Sequence, residues 1–337
     1  MRPLVELRPE GLYCPAGDFH IDPWMPVPRA VITHGHGDHA RAGAGLYHTS
    51  AEGLPILRWR LGEQHYQAHD YDEGFTLGVA WVSLHPAGHI LGSAQVRIES
   101  QGRCWVVSGD YKRDPDPTCL PFEVLPCDGF LTEATFALPV YRWDPIEEVV
   151  ADILSWWDEC IAQERAAVLF CYALGKAQRL LAEFAKALPG ADWNERPVFL
   201  HGALAMGVDV YREAGVRMMA TELVAEQGRS RVDWSKALVL APPSAAGTPW
   251  LRRFGRASTA FASGWMRVRG NRRRRSLDRG FVVSDHADWP SLLRTIRETG
   301  AKQVLATHGN ADALVRFLRE DGVDAQALRS EFGGEET

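Results

Sequence analysis

Within AVITHGHGDHARAG, Ala30 to Gly43, four metal-ligand side chains fall inside six positions: His34, His36, Asp38 and His39. A core has no use for them and a surface gains little, whereas neutral imidazole beside carboxylate is the donor set of a borderline divalent metal ion. His34 and His36 alternate with glycine, so in an extended strand end both point to one side, and Asp38 and His39 follow where the chain turns. Two adjacent pockets result, one on His34 and His36 and one on Asp38 and His39.

Such groups need a rigid support. RAVITHG, GVAWVSLHPAG, AQVRIES and RCWVVSGD each read as a short apolar strand that ends at a polar tip, so the first third of the chain is a strand-rich layer presenting its chemistry at strand ends. From about Ala137 the pattern changes. DPIEEVVADILSWWDECIAQ predicts an amphipathic helix with Asp144 as cap and Pro145 in its first turn. AAVLFCYALG is a buried strand feeding the helix KAQRLLAEFAKAL. RPVFLHG, LAMGVDVYREAG, KALVLAPP and STAFASG continue the alternation of strand and helix, which predicts a mostly parallel sheet. Strand-like FVVSDHADW, helical SLLRTIRETG, strand-like QVLATHG and helical DALVRFLRED then return to polar tips.

At 337 residues and 46% hydrophobic the chain can bury a large core, and its length favours two domains. The net charge of -6 means that any contact with nucleic acid must come from a local basic patch. Six scattered cysteines without a CxxC pair, and an N-terminus without a signal-like apolar run, point to a reduced, cytoplasmic protein. No apolar stretch approaches the eighteen residues of a membrane span.

HGHGDH resembles the metal-binding signature of the metallo-β-lactamase fold, and HPAGHILGSA and VVSGDYKRD resemble its later metal motifs through His89 and Asp110. The resemblance implies an αββα sandwich with His34, His36 and His89 on one metal, Asp38 and His39 on a second, and Asp110 bridging. GFLTEATFALP, VVSDHADW and LATHGNAD are similar to the three additional motifs of the β-CASP nucleases. By that likeness Glu133 would orient His286 against the scissile phosphate, and His308 would complete the second metal site. It also implies an α/β β-CASP domain over residues 137–280, inserted between metallo-β-lactamase segments 1–136 and 281–337. Asp22 in FHIDPW resembles the first motif of the family, an acid that supports a ligand histidine from behind, with Asp18 as the competing candidate.

LYCPAGDFHIDPW, GHILGSAQV, LGKAQRLL and FVVSDHADW narrow the similarity to the bacterial DNA ligase-associated exonucleases, over nearly the whole chain. The implied activity is metal-dependent DNA exonuclease action in repair, in functional association with a DNA ligase. His308 keeps RNA open as the alternative substrate, because RNA-processing β-CASP members typically carry histidine there. Two divalent metal ions are implied, Zn2+ first and Mn2+ second, polarising the phosphodiester and activating water. A Glu133 carboxylate would keep His286 protonated for the leaving 3′-oxygen.

Arg267, Arg269, Arg272, Arg273, Arg274 and Arg275 form the one dense basic segment, with Trp265 before it, and predict a wall that neutralises substrate phosphates. His20, His48, His65, His69, His85 and His201 lack ligand spacing and read as surface or core residues. ALGKAQRLL holds a Gly-Lys pair but lacks the rest of a phosphate loop.

Overall fold

The computed structural model describes residues 3–190, 192, 195–227, 232–268 and 277–328. The chain is a mixed α/β protein that divides into two units, one drawing its described residues from Met1–Arg142 and His286–Glu336, the other from Trp143–Asp285.

The apolar runs of the first unit build two sheets. The first holds β1 (Glu6–Arg8), β2 (Gly11–Cys14), β3 (Phe19–Ile21), β4 (Val27–Val31), β5 (Ala44–Ser50) and β6 (Tyr66–His69) in that order. It is antiparallel from β1 to β3 and parallel from β3 to β6. The second holds β7 (Gly74–Leu77), β8 (Ala80–Pro86), β9 (Ala94–Ser100), β10 (Arg103–Val107) and β11 (Gly129–Glu133), with β18 (Gln303–Thr307) and β19 (Asp324–Ala327) from the end of the chain. Its order is β19-β18-β11-β10-β9-β8-β7, and β10, β11, β18 and β19 run parallel. Three tips that carry chemistry, after β10, β11 and β18, therefore leave the sheet at one edge.

The alternation along a strand decides what each face meets. Trp105 and Val107 of β10 join Phe19, Ile21 and Val31 of the first sheet in one buried cluster. Val106 between them faces α5 (Trp289–Thr299) and α6 (Ala311–Glu320), among Leu292, Ile296 and Leu314. On the outer face of the first sheet, Leu57 of α1 (Leu54–Leu61) packs with Ala30, Ile32 and Tyr47.

Among the described residues the second unit has one sheet, parallel at every pairing, with order β14-β13-β15-β12-β16-β17. Its strands are β12 (Ala166–Phe170), β13 (Val198–Leu200), β14 (Glu222–Leu223), β15 (Leu238–Ala241), β16 (Ala257–Ala262) and β17 (Arg279–Phe281). Ala167 and Leu169 face a cluster with Trp156 and Trp157 of α2 (Ile146–Ala162), Leu180 of α3 (Lys176–Ala187) and Leu204 of α4 (Gly202–Glu213). Ala166, Val168 and Phe170 face Phe254 and Phe261 on the other side.

Two local expectations are corrected. Pro145, not Asp144, occupies the cap position of α2, and the Asp144 carboxylate is instead taken by Arg267 Nη1 at 2.7 Å. The strand expected in FVVSDHADW ends at Phe281, because the following Ser284 carbonyl and Asp285 carboxylate are engaged by side chains of α3 and not by a neighbouring strand. Just before the first unit's segment ends at Arg142, the Tyr141 ring lies edge-on to Phe136 at 4.8 Å and its carbonyl accepts the Trp289 N–H. No helix among the described residues is long and apolar enough to cross a membrane.

Candidate metal centre

The loop after β4 carries the histidines inward because its backbone is pinned on both sides. Asp22 accepts the Thr33 N–H at 2.8 Å and the Thr33 hydroxyl at 2.5 Å, and Arg60 of α1 donates to the Gly35 carbonyl at 2.5 Å. Gly109, in the tip after β10, must be glycine: its φ is 58° and a Cβ there would stand 2.7 Å from that of Thr33. Parallel register opposes Glu133 to Thr307, which sets His308 one residue beyond the end of the same row. Gly309 follows at φ 49°, where a Cβ would stand 2.4 Å from the Ala134 carbonyl oxygen.

These constraints bring the expected donors together. His36 Nδ1 lies 3.1 Å from His34 Nε2 and 3.0 Å from His89 Nε2, and Asp110 Oδ2 lies 3.5 and 3.8 Å from the same two Nε2 atoms. Asp110 also reaches His39 Nε2 at 3.3 Å through Oδ2 and His308 Nδ1 at 3.8 Å through Oδ1. Asp38 stands at the rim, its Oδ2 3.8 Å from His39 Nε2. His34, His36, His89 and Asp110 thus form one potential ligand group, and His39, Asp110 and His308 a second. A tetrahedral ion with ligand bonds near 2.1 Å separates its donors by about 3.4 Å, so the observed spacings fit divalent metal ions.

Behind the ligands, Asp22 Oδ2 is 2.8 Å from His39 Nδ1, which turns His39 Nε2 towards Asp110. Asp18 does not compete for this place, since its Oδ1 accepts the Tyr13 hydroxyl at 2.8 Å. Asp22 and His308 both hold positive φ, 45° and 63°, a conformation that Asp and His adopt more readily than most residues. Glu133 accepts the Tyr111 N–H through Oε1 at 2.8 Å and meets His286 Nδ1 through Oε2 at 2.9 Å. Both side chains are buried, and they form a third group with Asp110.

The electrostatics separate the histidines. Burial holds His34 well below the usual imidazole range and brings His308 down to about 4, so both are neutral lone-pair donors. Burial opposes the charge on His39 as well, but Asp110 and Asp38 outweigh it and hold that imidazole well above its ordinary range. Asp110 is buried too, yet His39 and His286 keep its carboxyl well below the carboxylate range. Burial raises Glu133, with His286 opposing the rise. The arrangement can bind divalent cations, hold a phosphoryl group beside them and offer a proton from His286.

Comparison with known proteins adds the lineage. The chain is 31% identical over 329 residues to a probable DNA ligase of Opitutus terrae, covering 94% of this chain and 30% of that protein. It is 28% identical over 146 residues to Ribonuclease TTHA0252 of Thermus thermophilus, covering 42% of this chain and 32% of that one. The chain belongs to the metallo-β-lactamase β-CASP nuclease family, near its DNA ligase-associated members. It spans about a third of the length of these two relatives. No family model matches it. A solved protein of unknown function from Enterococcus faecalis superposes with a TM-score of 0.56 at 14% identity, over 91% of this chain and 80% of that one, a likeness of fold alone.

In this β-CASP chain the arginine run is described only in part. Arg267 is tied to Asp144, and Trp265 is partly buried against the sheet of the second unit. Arg269, Arg272, Arg273, Arg274 and Arg275 lie outside the described residues. Two residues escaped sequence reasoning. Arg60 supports the histidine loop from a helix with no motif of its own. Lys176, the lysine of the Gly-Lys pair, is fully buried and bonds Asp285 Oδ2 at 2.6 Å, the residue just before His286.

Proposed function

We propose that the chain is a metal-dependent DNA exonuclease acting in repair, with RNA ends as the second reading. One observation carries the reading: Asp110 lies within ligand reach of the His34–His36–His89 group, the His39–His308 group and the Glu133–His286 pair together. A bridging carboxylate between two donor sets, with an acid alongside, is what in-line phosphodiester hydrolysis needs. The layers of the first unit support an αββα sandwich, and the second unit supports an inserted β-CASP domain.

His34, His36 and His89 with Asp110 would hold one divalent ion, and His39 and His308 with Asp110, Asp38 adjoining, the other. When bound, such ions supply charge neutralisation at phosphoryl oxygens and activation of water. The rest falls to the chain. His39 is oriented by Asp22, and its Nε2 becomes a donor when its proton leaves. Glu133 accepts from His286 Nδ1, which fixes the imidazole and leaves Nε2 as the atom that hands a proton to the departing 3′-oxygen. The imidazole-rich group favours Zn2+ and the more acidic one tolerates Mn2+.

DNA stands first because a relative named a probable DNA ligase matches along nearly the whole chain, which also supports a functional association with a DNA ligase. RNA stands second because a ribonuclease matches over 146 residues, less than half of the chain. The test is cleavage of end-labelled DNA and RNA of one sequence, with and without 5′-phosphate, in Zn2+ or Mn2+. Stepwise shortening of DNA is expected, abolished in Asp110→Ala with the fold intact. Early release of a 5′ label would give the direction as 5′-to-3′. Cleavage of RNA alone moves the assignment to the second reading, and a fully active Asp110→Ala protein overturns both.

A further inference from the structure

A second convergence of donors lies in the first unit and shares no residue with the centre around Asp110. His85 Nδ1 is 2.7 Å from Asp72 Oδ1 and 3.0 Å from Glu123 Oε2, and the three donor atoms lie within 4.8 Å of one another. The imidazole is largely buried, while the carboxylates come from the turn before β7 and from the segment between β10 and β11.

We propose that Asp72, His85 and Glu123 form a separate binding site for a first-row divalent cation, Zn2+ before Mn2+. Charge is the first argument. Two carboxylates meet one ring nitrogen that carries a single proton at most, and no lysine or arginine among the described residues pairs with either acid. A divalent ion balances the two anions outright. The second argument is the far side of the ring, where His85 Nε2 lies 2.9 Å from Ser83 Oγ. With that nitrogen donating to the hydroxyl, Nδ1 faces the carboxylates as a lone pair, the tautomer a metal requires.

The backbone supplies the third argument. Asp72 N–H donates to the Leu84 carbonyl at 2.9 Å and Glu123 N–H to the Pro86 carbonyl at 3.2 Å, so each acid is tied to the strand residue on one side of His85. Gln95 Nε2 further clamps the Glu123 and Pro86 carbonyls, at 2.7 and 3.0 Å. Donors about 3.4 Å apart suit a tetrahedral ion, so the present spacings need open by only about half an ångström. An imidazole in the set selects against Mg2+ and Ca2+, which favour all-oxygen sites. The ion would fasten two connecting segments to the strand that leads into His89.

The test compares the wild type with an Asp72→Asn, Glu123→Gln double variant after removal of metal by chelation. Zn2+ is titrated calorimetrically and bound metal is counted by elemental analysis. Side chains 70% and 44% exposed tolerate these changes, so melting in chelator should match the wild type. The expected result is one equivalent of Zn2+ fewer in the variant, whatever number the Asp110 centre holds, with a smaller Zn2+-induced rise in Tm. His85→Gln should lose the same equivalent. Equal stoichiometry in all three proteins overturns the proposal and leaves a shared-proton ion pair.

Discussion

Glu133 and His286 stand 153 positions apart in sequence, yet Glu133 Oε2 and His286 Nδ1 meet at 2.9 Å with both side chains buried. The bond fixes the imidazole, and neither residue belongs to the ligand group of His34, His36 and His89. His286→Ala should therefore keep the metal content of the wild type and lower kcat on an oligonucleotide by about 100-fold or more. Glu133→Gln should lower kcat less, with KM nearly unchanged. Loss of bound metal in His286→Ala, measured by elemental analysis, would instead make it a ligand.

Asp22 works one step further out. Its carboxylate holds the Thr33 backbone and His39 Nδ1 together, so Asp22→Asn removes a charge from behind a ligand without removing the ligand. Zn2+ affinity, read by competition with a chromophoric chelator, should fall by about 10- to 100-fold for the equivalent that His39 would hold. Unchanged affinity for every equivalent would refute the assigned role.

The arginines divide into two kinds. Arg267 is committed to Asp144, whereas Arg269, Arg272, Arg273, Arg274 and Arg275 lie outside the described residues. Replacing those five by glutamine should flatten the dependence of log affinity for single-stranded DNA on log salt by about 0.7 for each phosphate no longer neutralised, with metal content unchanged. Arg267→Gln should leave the slope nearly as it was. A slope unaffected by the five changes would remove the run from the substrate interface.

How far this centre can be read from sequence depends on where the partners lie. His34, His36, Asp38 and His39 announce themselves because their spacing is local, and His89, Asp110 and His308 because each follows an apolar run. Parallel strand order then gathers the tips of β10, β11 and β18, something alternation alone suggests but does not specify. Asp38 marks one limit: sequence does not tell which way a turn residue points, and its side chain is a third exposed at the rim. His85 marks another. Its acids are separated from it by loops of unrelated length, Glu123 by 38 positions, so no spacing pattern exists to be seen. FVVSDHADW reads as strand throughout because apolarity alone does not reveal that α3 claims Ser284 and Asp285.

Lys176 and Asp285, 109 positions apart, form an ion pair in the second unit with the lysine fully buried. Arg179 adds a 2.6 Å bond to the Ser284 carbonyl. Lys176→Met removes the shorter of two cation contacts to the Asp285 carboxylate and leaves Arg179 Nη1 at 3.5 Å, so it should cost about 3 kcal/mol, a fall in Tm of roughly 5–10 °C. Combining it with Asp285→Asn should restore a good part of the loss, because the buried group that lost its lysine no longer carries a charge. A single variant as stable as the wild type in thermal melting would show the pair to be solvated in solution.

His48 and His69 give the fold a dependence on pH that is separate from the metal chemistry. The two rings lie on neighbouring strands, His48 Nδ1 is 3.0 Å from His69 Nε2, and Phe75 stacks on both. Burial, followed by the neighbouring His69 and Arg29, lowers His48 to about 4, and burial lowers His69 despite Glu73. An unfolded imidazole titrates near 6.5, so as pH falls the unfolded chain takes up the proton first. The contribution is complete above about pH 6.5 and is lost progressively as pH falls towards about 4. Allowing for partial screening, the loss is of the order of 1–2 kcal/mol, or roughly 5 °C in Tm. His48→Asn should melt at a temperature that falls less steeply over this interval when both proteins are scanned in chelator. Parallel curves for the two proteins would assign the acid sensitivity to other groups.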